Sequence, residues 1–210
     1  MKKRVLLIIG IIYFFSSLIY GNDGLVVNYG GGIEPLDKTV ISIYREDLEI
    51  TFNDKSKNWH VSVKFILYNP TGTAIDNEIA FINYGFHELG YNGDIINFKT
   101  WINNEPTTYK YTKVKDDKTY EMGRVLYKEY FTSNIHFVPG YTVIKHEYDF
   151  VGSVGWGPDR FGFSYTLTTA NKWNGPIKYF NLSVSLPNNS ILLYDYRKAY
   201  SYFKPYGELR

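Results

Sequence analysis

The residues that could carry out chemistry in this chain of 210 residues are few, and their spacing matches no common catalytic or metal-binding motif. There is no cysteine, and no Gly-x-Ser-x-Gly nucleophile motif occurs. The histidines are His60, His87, His136 and His146. None has a second histidine at metal-ligand spacing, and Tyr91 stands where the second histidine of a His-Glu-x-x-His zinc motif would follow His87. The sequence therefore predicts no catalytic residue, no metal site and no cofactor.

Carboxylates offer a less specific signal. Two carboxylates that hydrolyse a glycoside can come from distant parts of a chain. The glutamates that could meet in this way are Glu78, Glu88, Glu121, Glu129 and Glu147. Nothing in their spacing singles out two of them. Residues 54–58 place oxygen atoms at alternate positions as a calcium loop does, but they lack its glycine and final glutamate, so a hairpin turn is predicted there.

Two turns that contain tryptophan are the best candidates for ligand binding. One reads Gly-Trp-Gly-Pro-Asp-Arg and the other Lys-Trp-Asn-Gly-Pro. Trp156 beside Asp159 and Arg160 would present a flat apolar ring next to hydrogen-bonding groups, which suits a sugar or an extended peptide. The structural interpretation is that Trp156 and Trp173 each cover one end of a core while the glycines form the bend. We name Trp156, Asp159, Arg160 and Trp173 as candidate ligand-binding residues.

The elements that must position these turns are predicted to be strands. Aromatic residues make up 19% of the chain, which favours sheet over helix. From residue 59 to residue 68, apolar side chains occupy alternate positions, as in a half-buried strand, and Asn69-Pro70-Thr71-Gly72 ends it. Beyond the N-terminal segment, no stretch has apolar residues at sustained helical spacing. Any helix should therefore be a turn or two long.

The same pattern predicts further strands along the rest of the chain. They cover residues 40–44, 48–52, 75–81, 95–102, 107–114, 124–131, 142–150, 161–168 and 177–186. Asn103 and Asn104 are predicted to form the tip of a hairpin. The fold class is thus all-β, an antiparallel β-sandwich, and a boundary between two small β units is expected near residues 115–120.

Residues 1–21 are predicted to be a secretory signal peptide. Three basic residues precede an apolar run from residue 5 to residue 19, which is shorter than the roughly 20 residues of a membrane-spanning helix. We place cleavage after Gly21. An uncleaved membrane anchor is the alternative, because Ile19 is larger than the small residue that is preferred two places before the cleavage site. Cleavage changes the formal charge from +2 to −1, so the basic character belongs to the signal and does not indicate nucleic-acid binding. Residues 22–210 would form an exported β-rich domain with no membrane-spanning segment.

Scattered positions in both halves of the chain also carry a resemblance to a known family. They are Gly31-Gly32-Ile33, Ile41-Ser42-Ile43, Glu46-Asp47-Leu48, Phe65 to Asn69, Pro139-Gly140, and Trp173 with Gly175-Pro176-Ile177. Over residues 31–187 the chain resembles the secreted bacterial proteins of domain of unknown function family 4424. The resemblance implies export and a β-rich fold, and it implies no activity.

Three classes of function are compatible with these features. The prediction is a non-enzymatic exported module of the bacterial periplasm or cell surface, which acts structurally or binds a glycan, peptide or protein partner. A small outer-membrane β-barrel is an alternative, although charged residues on the predicted outward faces are costly in lipid. A secreted hydrolase or carbohydrate-active enzyme is the other, although no constellation of catalytic groups is recognisable.

Overall fold

A computed structural model describes residues 29–87, 95–115, 125–150, 153–154, 161–162, 165 and 172–186. The predicted signal peptide, and three of the four candidate ligand-binding residues, Trp156, Asp159 and Arg160, lie outside these ranges. The regular elements in the described ranges are all strands. They are β1 (Tyr29–Pro35), β2 (Ser42–Asn53), β3 (Asn58–Asn69), β4 (Ile75–His87), β5 (Ile95–Ile102), β6 (Glu105–Thr107), β7 (Lys110–Lys115), β8 (Val125–Phe137), β9 (Gly140–Phe150), β10 (Ser153–Val154), β11 (Phe161–Gly162) and β12 (Tyr179–Ser185).

The strands form two main sheets. The larger has the order β12-β2-β3-β9-β5-β6 and the smaller has the order β1-β4-β8-β7, while β10 and β11 form a separate pair. Every pairing is antiparallel except that of β12 with β2, which is parallel. The predicted all-β sandwich is confirmed, with this one parallel pairing as an unpredicted feature.

The core lies between the facing sides of the two sheets. In β3 the buried residues alternate with more exposed ones, and they are Trp59, Val61, Val63, Phe65 and Leu67. Phe81 of β4 reaches across from the smaller sheet, and its ring lies 5.2 Å from both Phe98 and Tyr148 of the larger one. Alternation in the sequence therefore separates an inner face, which holds the fold together, from an outer face, which is open to solvent.

A β-bulge makes β2 one continuous strand where two short strands were predicted. Ile43 pairs with Leu67 and Arg45 pairs with Ile66, so Tyr44 is an extra residue without a partner position on β3. An extra residue reverses the alternation. As a result Glu46, and not Arg45, points into the core together with the apolar residues that follow it.

The predicted turns agree well with the structure. Asn103 and Asn104 both have positive φ, 50° and 70°, as the two-residue hairpin between β5 and β6 requires. Residues 54–57 form the β2–β3 hairpin turn, as predicted. The strand predicted at 107–114 is divided between β6 and β7. Residues 116–124, which include most of the expected boundary, lie outside the described ranges, and β7 and β8 on either side of them pair with each other.

Candidate functional site

Trp173 is the one candidate ligand-binding residue that the structure describes, and it belongs to the core. Its side chain is only 4% exposed, and its indole Nε1 donates a hydrogen bond of 3.0 Å to the backbone oxygen of Ile33. The following residue, Asn174, donates its backbone N–H to Ile41 at 2.8 Å. Trp173 thus fixes its turn against the chain around β1 and the start of β2, and its ring is not available on the surface.

Among the described residues, the most exposed group of aromatic side chains lies on the outer face of the larger sheet. We call it the tyrosine strip, and its members are Tyr44, Tyr68, Tyr141 and Tyr179. Tyr141 is 55% exposed, Tyr179 49% and Tyr68 36%. Large aromatic rings that remain exposed side by side are typical of surfaces that bind a partner.

Strand register explains why these four rings meet. Tyr68 of β3 and Tyr141 of β9 are direct cross-strand partners. Tyr179 is the first residue of β12, opposite Arg45 of β2. Tyr44 joins them only because it is the extra residue of the bulge. The four tyrosines therefore cross four adjacent strands at one end of the sheet.

The rings touch edge to face and do not lie in one plane. Tyr44 is 5.2 Å from Tyr141 and 5.3 Å from Tyr179, with interplanar angles of 67° and 66°. Tyr68 and Tyr141 are 5.0 Å apart and tilted by 41°. At such angles the rings present edges as well as faces, so the surface they form is ridged and not flat.

Lys178 completes this surface. Its Nζ lies 4.9 Å from the ring centroid of Tyr44 and 5.5 Å from that of Tyr179. Both distances are in the range of cation–π attraction. Within the described ranges, no carboxylate or side-chain amide makes a hydrogen bond or ion pair with Lys178 or with the four hydroxyls. The strip therefore offers apolar rings and hydrogen-bond donors.

A charged cluster lies beside the tyrosine strip on the same outer face. Asp47 accepts hydrogen bonds from Arg45 at 2.8 Å and from Asn181 at 2.6 Å, and Lys64 lies 3.4 Å away. Partial burial acts to raise the pKa of Asp47, but the hydrogen bonds from Asn181 and Arg45 and the nearby cations hold it below its usual value. These residues line a shallow groove of about 310 Å³. The cluster ties β12 to β2, and with Lys178 the cations here outnumber the carboxylates of Asp47 and Glu49 by one.

A second groove, of about 290 Å³, contains a histidine–carboxylate pair. Nδ1 of His60 is 2.8 Å from Asp149, which also accepts a hydrogen bond of 2.8 Å from Asn97. Asn97 sits in a second bulge with a φ of 57°. A carboxylate that orients a histidine is one part of a catalytic triad. In the part of the chain that the structure describes, no nucleophilic side chain is hydrogen-bonded to this histidine, so the pair alone does not form a catalytic site.

The inner face contains a buried carboxylic acid that the sequence pattern did not reveal. Burial raises the pKa of Glu46 to about 7. The neighbouring Tyr165 hydroxyl lowers this pKa in part, although the two groups do not reach normal hydrogen-bond geometry, and the charge of Asp47 raises it. Burial, followed by the charge of Glu46, raises the pKa values of Tyr148 and Tyr165 well above 10. Glu46 is therefore largely protonated in weakly acidic solution, in a place that ligands do not reach.

Two of the glutamates considered for glycoside hydrolysis have partners of their own, and Glu78 is exposed on β4. Glu129 is buried and accepts hydrogen bonds from Asn83 at 2.6 Å and Tyr111 at 2.7 Å. Glu147 forms an ion pair of 2.6 Å with Lys145. Glu88 and Glu121 lie outside the described ranges, so a pairing that involves them stays untested.

Metal-ligand clusters and long apolar helices are both absent from the described ranges. No three His, Asp or Glu side chains come together there as metal ligands would. No helix in those ranges is long and apolar enough to cross a membrane.

Comparisons with known proteins add little to this picture. No family model matches the chain, so the resemblance to domain of unknown function family 4424 stays a prediction. No curated protein matches it either. Among solved structures, a candidate nutrient-binding protein of Legionella pneumophila is similar, with a TM-score of 0.49 and 14% identity over 70% of this chain and 50% of that chain. Yeast LTA4 hydrolase has a TM-score of 0.26 and 12% identity over 52% of this chain and 14% of that one. At these values neither similarity indicates a function, and the chain spans half the length of the first.

Proposed function

We propose that this chain is an exported, non-enzymatic binding module of the bacterial periplasm or cell surface, and that the tyrosine strip is its docking surface. The observation that carries the proposal is the strip itself, four adjacent tyrosines held in mutual contact on an outer sheet face with three of them exposed. Tyrosine is enriched in protein interfaces because one rigid side chain supplies both apolar area and a hydroxyl.

The position of the strip supports a role in binding. Its rings lie on strands that are hydrogen-bonded to their neighbours, so a ligand would meet a surface that is already ordered and would lose little binding energy to ordering it. The bulge at Tyr44 adds a ring at this place and supports the rest of the surface. Bulges are common where a protein redirects a side chain for function.

The export part of the proposal has its support in the sequence. The N-terminal basic residues and the apolar run that follows have the order of a secretory signal. A chain without cysteine needs no disulfide formation after export, and the described core is built from apolar and aromatic side chains. Expression of the full chain in a bacterial host tests this part: the protein should appear in the periplasm or medium with a mass that lacks residues 1–21.

An array experiment tests the docking surface. The exported protein is applied to glycan and peptide arrays beside a Tyr141→Ala/Tyr179→Ala double variant and a Val114→Ala control, because Val114 is equally exposed but lies on β7 of the other sheet. We expect binding on one array that the double variant loses and the control keeps. Binding on neither array, or equal binding by all three proteins, would overturn the proposal.

A further inference from the structure

We propose that the tyrosine strip binds an extended proline-rich peptide in the polyproline II conformation, with an acidic residue at one end. This inference rests on the proposed function and names the ligand of that surface. Three features of the strip support it: the shape of its ring surface, the kind of hydrogen-bonding groups it contains, and the charge beside it.

The shape of the strip favours a ridged ligand over a flat one. A chain of sugars stacks best on ring faces that lie flat, whereas the Tyr44 ring is turned by 67° and 66° from its two neighbours. Pyrrolidine rings fit into clefts between aromatic side chains, which is how proline-rich segments are recognised in other domains. The tilted rings of the strip therefore suit pyrrolidine rings better than a flat sugar chain.

The length of the strip fits a short proline-rich segment. Tyr179 and Tyr141, on the two outermost strands, both contact Tyr44, at ring-centroid distances of 5.3 and 5.2 Å, so their centroids are at most about 10.5 Å apart. A polyproline II helix rises about 3.1 Å per residue and repeats every three residues. The strip therefore covers about three to four residues, and two prolines three positions apart, about 9.3 Å along the helix, would both lie over its rings.

The hydrogen-bonding groups of the strip match the same ligand. Proline has no N–H, and the carbonyl groups of a polyproline II helix have no internal partners. Such a ligand needs donors and requires few acceptors. Tyrosine hydroxyls and the Lys178 ammonium group supply donors, and no carboxylate or side-chain amide of the described residues is hydrogen-bonded to them. Sugar hydroxyls, in contrast, are also donors and are usually matched by carboxylate or amide oxygens.

The positive charge beside the strip favours a ligand that has an acidic residue at one end. Arg45, Lys64 and Lys178 outnumber by one the carboxylates of Asp47 and Glu49, and Asp47 is already held by Arg45, Lys64 and Asn181. Opposite charges across an interface determine orientation and accelerate association more than they raise affinity. An acidic residue next to the prolines would approach this side of the strip.

Calorimetric titration of the exported protein tests the inference with defined probes. The probes are decaproline amide, decaproline followed by two glutamates, a ten-residue Gly-Ser peptide, cellohexaose and choline. We expect both proline peptides to bind and the other three probes not to bind. Tyr141→Ala and Tyr179→Ala should each weaken decaproline binding tenfold or more, while Val114→Ala leaves it unchanged. Lys178→Ala should weaken the binding of the acidic peptide several-fold more than the binding of decaproline amide.

Each result separates the inference from the proposed function. If proline peptides fail to bind but a glycan binds and is lost in the tyrosine variants, the peptide inference is wrong and the docking surface stands. Choline binding that the tyrosine variants lose would show a cation site and also refute the peptide inference. If no probe and no array ligand binds, both proposals fail. Thermal melts of each variant must match the wild type, and Tyr141→Phe, which keeps the ring, should retain most of the affinity.

Discussion

Glu46 shows how one residue can be set apart by its surroundings without taking part in binding. Its carboxyl group lies in an apolar core where the charged form is poorly solvated, so its pKa rises from 4.5 to about 7. A group whose folded pKa is raised in this way stabilises the fold when it is protonated. That stability is fully present below pH 4.5 and is lost as the pH rises through 7.

Glu46→Gln should stabilise the protein at neutral and higher pH. Glutamine keeps the shape of the neutral acid and cannot ionise, so its advantage over the wild type should grow by about 3 kcal/mol between pH 4.5 and pH 8. Urea denaturation at a series of pH values measures this difference. Glu49→Gln, on the exposed side of the same strand, is the control and should show no such growth. A constant difference for Glu46→Gln would mean that the carboxyl is solvated in the fold.

Trp173→Phe should destabilise the fold without affecting the docking surface. The smaller ring leaves a cavity, and the Ile33 carbonyl loses its indole donor, so the free energy of unfolding should fall by about 2–4 kcal/mol. Chemical denaturation gives this value, and titration with the array ligand should give unchanged affinity when the variant is folded. Weaker binding by a folded variant would assign Trp173 the ligand-binding role that its burial argues against.

At the scale of the elements, the bulge in β2 does two things. It turns Glu46 inward and places Tyr44 on the outer face in contact with two other tyrosines. The sequence could not reveal it, because the polar pair Glu46-Asp47 between two apolar runs resembles a break between strands. Regular alternation in β3 and β9, and the two asparagines of the β5–β6 turn, were predictable because each pattern needs only neighbouring residues. The strip depends on pairing between distant strands, which no local pattern contains.

Deletion of Tyr44 should leave the fold intact and remove binding. The residues on either side already pair regularly with β3, so the deletion changes a bulged strand into a regular one and should cost no more than about 1 kcal/mol. The strip would lose its central ring. Deletion of Glu49, which has a normal partner position, is the control; it turns one half of β2 to the wrong face and should prevent folding. Circular dichroism and peptide titration measure both effects, and an unfolded Tyr44 deletion would contradict this account of the bulge.

At the scale of the whole molecule, two buried groups with opposite pH dependence act in one core. Burial lowers the pKa of His146 from 6.5 to about 3, because the protonated ring would be surrounded by Phe65, Phe81 and Phe98. Its contribution to stability is present above pH 6.5 and is lost as the pH falls towards 3. Glu46 contributes in the opposite direction between pH 4.5 and 7. The two contributions to the pH dependence of the free energy of unfolding should therefore largely cancel between pH 4.5 and 6.5.

Removal of either group should reveal the pH dependence of stability that the other group causes. Glu46→Gln should lose stability on acidification from pH 6.5 to 4.5, whereas His146→Phe should gain stability over the same interval. The wild type should change little. Midpoints of denaturant unfolding at half-unit pH steps provide the comparison, and parallel profiles for the three proteins would refute the opposition. The lowered pKa values of Asp47 and Asp149 act below this interval.

The parallel pairing of β12 with β2 also affects how the chain reaches its folded state. Asn181 and Asp47, which join the two strands, are 134 positions apart, so one edge of β2 stays open until residues 179–185 have been synthesised. Contacts between such distant segments form slowly. During that interval the open edge can accept β12 from another copy of the chain, which leads to domain-swapped dimers. The yield of monomer on refolding should therefore fall as the protein concentration rises.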